Sequence, residues 1–202
     1  MRVNPNRMEL LKLRRRVAMA RRGHKLLKDK LDELLKQFRG MVARNRELRS
    51  RVEAELARAY SIFALARSEI TSQEAEEALE YPAAAVTLFT EWKNITGVKV
   101  PSFRLQSEGA HTNYGLALTP SSFDEAVDRF HALLSRLVEL AEVETSVRIM
   151  AVEIEKTRRR VNALEYVLIP ALTETISGIT MKLDELERFY RTQLMKIKSL
   201  QG

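Results

Sequence analysis

The chain opens on a heptad pattern that runs for eight repeats without interruption. One set of positions recurs every seven residues: Leu10, Val17, His24, Leu31, Phe38, Asn45, Val52, Ala59 and Ala66. A second set follows each of the first eight by three residues: Leu13, Ala20, Leu27, Leu34, Met41, Leu48, Glu55 and Ile62. An apolar period of about 3.5 drifts around a straight helix of about 3.6 residues per turn, so the stripe stays on its partner only if the helices supercoil left-handedly. Such a chain is built as a rod. It has no natural place for a deep active site, and its work is expected to be mechanical or scaffolding.

Helix boundaries follow from local chemistry. Asn6 is placed to cap the first turn, with Glu9 three residues on, as in a capping box. The pattern predicts helix from there to about Leu79, roughly 110 Å of it at about 1.5 Å per residue. Gly23 and Gly40 each cost that helix about 1 kcal/mol against alanine. Tyr81-Pro82 is expected to stop it, because the residue before proline is pushed out of the α region. Val86, Leu88, Phe89, Trp92 and Ile95 precede Gly97, and Val98, Val100, Phe103 and Leu105 follow with near-alternation. That reads as a β-hairpin turning at Gly97, with a loop over Gly109–Gly115 closed by Pro120.

A second long helix is expected from Ser121 or Ser122, with Glu125 within reach of a capping box. Its seam is Leu133, Leu137, Leu140, Val143, Val147, Met150, Ile154, Val161, Leu164 and Leu168. Leu164, Leu168, Leu172 and Ile176 then step by fours before Ile179, Leu183, Leu186, Tyr190 and Ile197 resume the heptad. This is a stutter, which unwinds a supercoil locally. Pro170 lies within it and predicts a kink.

Two helices of similar length joined by fewer than 45 residues point to an all-α-dominated fold. The expected architecture is a long antiparallel two-helix left-handed coiled coil with a small β-hairpin in the middle of the chain. Segments 1–80, 81–120 and 121–202 would be the first shaft helix, the insert and the second shaft helix of one elongated domain. Paired residue numbers should then add to about 200, so that Leu10 meets Tyr190 and Leu34 lies near Leu164 or Val167. Periodicity alone is also met by a parallel homodimer or a bundle.

Charge is uneven. The net charge is +7, yet residues 1–50 hold 16 Lys/Arg against 5 Asp/Glu, a balance of +11. A basic end points to an acidic protein surface, a nucleic acid or a membrane face, or else to a solvated coiled-coil exterior. Lys12, Arg14, Arg15, Arg16, Arg21, Arg22, Lys25 and Lys28 cover most of the helix away from the seam and form no narrow stripe. The first aromatic residue is Phe38, so stacking platforms for single strands are missing there. There is no cysteine, hence no disulfide, thiolate metal site or cysteine nucleophile. No apolar run approaches a membrane span, and the N-terminus lacks the apolar core of a signal peptide. The chain reads as cytosolic.

No catalytic constellation stands above background. There is no Gly-rich phosphate loop and no zincin motif. His24, His111 and His131 are far apart in sequence. His24 and Asn45 occupy seam positions, where Asn45 is expected to set register. Glu76/Glu77 and Glu185/Glu187 read as solvated charges, and the scattered methionines as packing residues. On these residues alone, a coiled-coil scaffold or adaptor, including one that binds nucleic acid, remains open.

Two segments narrow the choice. The first runs Asn4-Pro5-Asn6-Arg7-Met8-Glu9-Leu10-Leu11-Lys12-Leu13 and continues as Arg22-Gly23-His24-Lys25-Leu26-Leu27-Lys28-Asp29-Lys30-Leu31-Asp32-Glu33-Leu34. The second is Glu153-Ile154-Glu155-Lys156-Thr157-Arg158-Arg159-Arg160-Val161-Asn162-Ala163-Leu164-Glu165-Tyr166, followed by Ile169-Pro170. Together they closely resemble the D subunits of the archaeal/vacuolar-type (A/V-type) rotary ATPases, as does Val98-Lys99-Val100-Pro101. The resemblance implies a central rotor shaft, non-catalytic and without cofactor, metal or bound nucleotide. It implies termini inside a ring of catalytic and regulatory subunits. It also implies a small stalk subunit on the shaft's side, a socket subunit joining the membrane rotor ring, and a place peripheral to the membrane on the cytoplasmic side. Arg7, Lys12, Arg15, Arg16, Arg191, Lys196 and Lys198 are then the expected ring contacts. Leu10, Leu13, Val17, Leu27, Leu31, Leu34, Phe38, Leu48, Val161, Leu164, Leu168, Ile176, Leu183, Leu186 and Tyr190 are the expected seam.

Overall fold

The computed structural model describes residues 4–80, 84–112, 114 and 119–201. Helix α1 spans Arg7–Glu69. Its start is set by Asn6, whose side-chain oxygen accepts the Glu9 N–H at 2.6 Å. The helix expected to reach Leu79 stops ten residues earlier, and α2 begins afresh at Ser72–Glu80. The reason is a second capping box. The Thr71 hydroxyl oxygen accepts the Glu74 N–H at 3.3 Å, and the Glu74 carboxylate accepts the Thr71 N–H at 2.8 Å and its hydroxyl at 2.7 Å. These local bonds compete with helix continuation and win. The Thr71 N–H, then its hydroxyl, holds the Glu74 carboxyl below its ordinary value. The cap's contribution is therefore present above the usual carboxylate range and is lost as pH falls through the lowered folded value. The Tyr81-Pro82 stop lies outside the described residues, as do Asn113 and Gly115 of the expected loop.

Strands β1 (Ala85–Ile95) and β2 (Val98–Glu108) form an antiparallel hairpin, paired from Ala85↔Glu108 to Ile95↔Val98. Its two-residue turn, Thr96-Gly97, has φ of 51° and 79°. Positive φ at both positions matches the right-handed strand twist, and glycine takes it without a Cβ penalty. Asn94 adds a 2.8 Å bond from the Gly97 N–H to its side-chain oxygen. One face of the hairpin carries the buried Val98 and Val100 and meets Glu142 of the next helix. Glu142 accepts the Phe103 N–H at 2.6 Å and the Ser102 hydroxyl at 3.2 Å, with Lys93 at 3.9 Å. Glu142→Ala is expected to leave these donors unpaired and to cost about 1–3 kcal/mol locally. Faster amide exchange in Lys99–Leu105, with α1 unchanged, is the measurement that checks it.

Helix α3 spans Ser121–Asn162, and α4 spans Ile169–Gln201. Between them Ala163–Leu168 form a π-helical turn where the stutter and Pro170 predicted a kink. Ser122 is not free to cap: its hydroxyl donates to Glu69 at 2.7 Å, while Glu125 pairs with Arg129 at 2.7 Å.

Contacts divide the chain into two compact units. The first comprises Met1–Glu33 and Ile154–Gly202; the second is Leu34–Glu153. In the first unit Leu13, Val17, Leu172 and Ile179 are buried together, with Leu10, Leu168, Ile176 and Leu183 packed on them. In the second, Ala66, Ala75 and Phe123 form a core that takes in Phe63, Ile70, Ala78, Tyr114 and Val127. Small residues at positions 59 and 66 leave room there for aromatic packing. Phe63 meets Phe123 and Phe130 at 6.1 Å each, and Tyr60 lies edge-on to Phe130 at 5.4 Å.

Within each unit α1 runs antiparallel to its partner, but the expected register is wrong. In the first unit Arg7 lies on Glu187, and His24 Nε2 is 3.2 Å from Glu165. In the second, Glu55 lies on Arg136 and Glu69 on Ser122. These pairs add to between 189 and 194 rather than 200. Leu10 therefore packs beside Leu183, and Tyr190 is exposed. The slip is about two helical turns, and its consequence lies at the end of α4.

Candidate interaction surface

Because α1 starts at Arg7 and that residue already reaches Glu187, no helix among the described residues lies opposite the last turns of α4. Every residue from Arg188 to Leu200 is exposed. The sequence nonetheless continues its apolar stripe there: Leu186, Phe189, Tyr190, Leu194, Met195, Ile197 and Leu200, the last 78% exposed. Met8 and Leu11 add exposed apolar surface on α1. Spacings of three and four put most of these side chains on one side of α4. The Phe189 and Tyr190 rings lie edge to face at 6.2 Å. Two shallow grooves adjoin this end. One, of about 480 Å³, is lined by Pro5, Lys182, Glu185, Leu186 and Phe189. The other, of about 350 Å³, is lined by Leu10, Leu11, Arg14, Thr180 and Leu183 among others.

The seven cations are all exposed in this same unit. Arg7 and Arg191 share Glu187, and Lys12 lies 3.6 Å from Glu9. Arg15, Arg16, Lys196 and Lys198 complete the set. Solvent-exposed pairs of this kind contribute at most about 1 kcal/mol each. Arg191, Lys196 and Lys198 stand among the exposed apolar residues of the α4 end and Arg7 at its edge, while Lys12, Arg15 and Arg16 lie farther along α1. This end suits a partner that offers an apolar lining and acidic or carbonyl groups beside it, and it contains no group placed for bond-making chemistry.

The seam residues divide by place. Leu13, Val17 and Val161 in the first unit and Leu34 in the second are buried. Leu10, Leu27, Leu31, Leu164, Leu168, Ile176 and Leu183 in the first unit, and Phe38 and Leu48 in the second, are half-buried. Leu186 and Tyr190 are exposed, at 44% and 59%. Heptad periodicity thus assigns to packing, or leaves aside, the residues that make the exposed apolar end. The signal that does locate them is the length of the apolar stripe set against the start of α1 at its Asn6 cap.

The second unit carries its own exposed features. Val86, Leu88 and Trp92 line the hairpin face opposite Val98 and Val100, beside the half-buried Phe103 and Leu105. His111 stacks on His131 with ring centres 4.5 Å apart and reaches Asp128 at 2.5 Å. Tyr114 donates its hydroxyl to Asp124 at 2.7 Å, and burial, followed by that carboxylate, pushes its ionisation well above the ordinary phenol value. The predicted seam polar residue Asn45 keeps a buried side-chain oxygen without a hydrogen-bond partner. Among the described residues no three His, Asp or Glu side chains group so as to hold a metal ion, and no helix is long and apolar enough to cross a membrane.

A family profile for the ATP synthase D subunit matches residues 9–199. The chain is 51% identical to the V-type ATP synthase D subunit of Thermoanaerobacter sp. (strain X514), over 98% of this chain and 96% of that protein. It is 49% identical to the V-type ATP synthase D subunit of Acetivibrio thermocellus, over 99% of this chain and 92% of that one. The corresponding V-type ATP synthase D subunit of Clostridium botulinum (strain ATCC 19397 / Type A) is 48% identical, over 98% and 94% respectively.

Proposed function

This chain belongs to the ATP synthase D-subunit family, and we propose that it is the central-stalk rotor shaft of an A/V-type ATP synthase or ATPase. In this reading the chain is non-catalytic. It links ATP synthesis or hydrolysis in a ring of catalytic and regulatory subunits to ion movement in the membrane. The observation that carries the reading is the exposed apolar end of α4, with Arg191, Lys196 and Lys198 along it and Arg7 at its edge. A helix end that leaves seven large apolar residues in water is built to be covered. The ring supplies the cover, and the cations meet acidic or carbonyl groups in its lining.

The physical work is allosteric. A shaft with one apolar, off-axis stripe presents a different surface to each catalytic site at each angle. Angle and nucleotide state are then linked in both directions, because each conformation of a site binds a different face of the shaft. The segment 81–120 serves stalk partners: the small stalk subunit and the socket that joins the membrane rotor. The complex sits at the cytoplasmic face of the membrane, with this protein peripheral to it.

The deciding experiment mixes the purified chain with a purified catalytic ring and measures mass by light scattering. One copy per ring is expected, with the complex loosening as salt rises, since charges are screened beyond about 8 Å at physiological salt. Reversing Arg7, Lys12, Arg15 and Arg16 together to Glu is expected to weaken assembly at unchanged helicity. A chain that forms a stable homodimer and ignores the ring would instead be a scaffold or adaptor.

A further inference from the structure

A π-turn inside a long coiled-coil helix is unusual, and here it has a cause that can be read residue by residue. From Val161 to Ile179 the apolar steps run three, four, four, four and three, 18 residues where the regular heptad takes 17. A seam of 3.5-residue period has no place for the surplus residue. A π-turn holds one extra residue and so takes it up. Ile169 donates its N–H to the Leu164 carbonyl, five residues back. Pro170 follows at once. It has no N–H for the Tyr166 carbonyl, and its ring would strike that carbonyl in a regular α-helix. The stutter and the proline thus favour the same wide turn.

The turn is also sparsely anchored compared with the helix on either side of it. None of its six residues is buried. Tyr166 and Val167 are 70% and 66% exposed, whereas Thr157, Val161 and Leu172 on either side are at most 5% exposed. Glu165 ties the turn to α1 through the His24 contact at 3.2 Å. Wider, poorer hydrogen bonds, one bond removed by proline and little apolar burial all lower the free energy of local opening.

We propose that Ala163–Leu168 is a conformational joint: a segment where the hydrogen-bond register slips by one residue and lets α4 turn against the end of α3 while the flanking seam stays packed, braced at rest by His24 and Glu165. The joint itself is a property of the isolated chain. Its use, as the place where a shaft under torque yields, rests on the rotor reading above.

Hydrogen exchange on the full chain tests the joint. Amides of 164–169 are expected to exchange at least tenfold faster than those of 157–161 and 172–179. Deleting Pro170 removes the proline and shortens the step from Leu168 to Leu172 from four residues to three. The apolar steps from Val161 to Ile179 then alternate three, four, three, four and three, the regular heptad. That variant is expected to be α-helical throughout, and its protection over the former turn should rise to that of its flanks. His24→Ala or Glu165→Gln is expected to speed exchange in the turn severalfold and leave the flanks unchanged, which keeps the test open if the deletion variant does not fold. Wild-type protection across the turn equal to that of its flanks overturns the joint. So does a folded deletion variant in which protection falls. Ring binding, measured separately, reports on the rotor reading: a protein that shows the exchange pattern but binds no ring keeps the joint and loses the shaft.

Discussion

Leu172→Asp is expected to lower the melting temperature by about 10 °C or more, with loss of helicity in the first unit. Leu172 has no exposed surface and packs with Leu13, Val17 and Ile179 in that unit's core. Truncating such a leucine alone costs about 2–5 kcal/mol. Aspartate adds the cost of a carboxyl group with no partner among those apolar neighbours, and it either stays neutral there or forces the helices apart. A total of about 4 kcal/mol corresponds to roughly 8–16 °C in a chain of this length. The matched control is Leu186→Asp. That position belongs to the same heptad run but is exposed, so its effect is expected to stay within about 0.5 kcal/mol. Thermal melts followed by circular dichroism check both. Equal effects at the two sites would mean that the seam does not end where the register of Arg7 on Glu187 ends it.

The second large effect concerns the uncovered end of α4. Replacing Phe189, Leu194 and Ile197 together by Glu is expected to reduce ring binding by at least a hundredfold while leaving melting temperature and helicity as they are. All three are exposed in the isolated chain, so its own fold loses little. Large apolar and aromatic anchors buried at the centre of an interface commonly contribute about 2 kcal/mol or more each, and every 1.4 kcal/mol or so is a factor of ten. The four-cation reversal at Arg7, Lys12, Arg15 and Arg16 is expected to act differently. Charges at a rim steer association, so that variant should change mainly the on-rate and the salt dependence. Titrating labelled chain against the ring separates the two. If the triple variant binds as tightly as the wild type, the apolar end is not the contact and the cations carry the docking alone.

Much of this molecule is legible without coordinates, for reasons that are local. The apolar period of α1 compels a coiled-coil partner, because one side of the helix is apolar along most of its length. Asn6 with Glu9 marks a helix start because the geometry of a capping box lies within four residues. The hairpin turns at Gly97 because positive φ there needs no distant contact. The break at Thr71 is equally local, since Thr71 and Glu74 spell a second capping box. An apolar pattern that runs straight past it hides it, because periodicity weighs side-chain faces and takes no account of two competing hydrogen bonds. Pro170 and the run of four-residue steps likewise announce a disturbance near 164–176.

Other features are not local and were decided only by the tertiary structure. Antiparallel heptad helices match apolar face to apolar face at several offsets, so the pattern alone does not choose among them. The offset seen here accompanies cross-helix pairs such as Arg7 with Glu187 and Glu55 with Arg136, which the heptad does not encode. From that offset follows the uncovered end of α4. A stripe of Leu186, Tyr190 and Ile197 reads identically whether a helix lies opposite it or water does. The disturbance at Pro170 could have become a kink; in the structure it is a π-turn, with the seam packed on both sides of it. Sequence determines what each segment is able to bury, through periodicities and caps that act over a few residues. Which of those faces is covered depends on the offset at which the two helices pair.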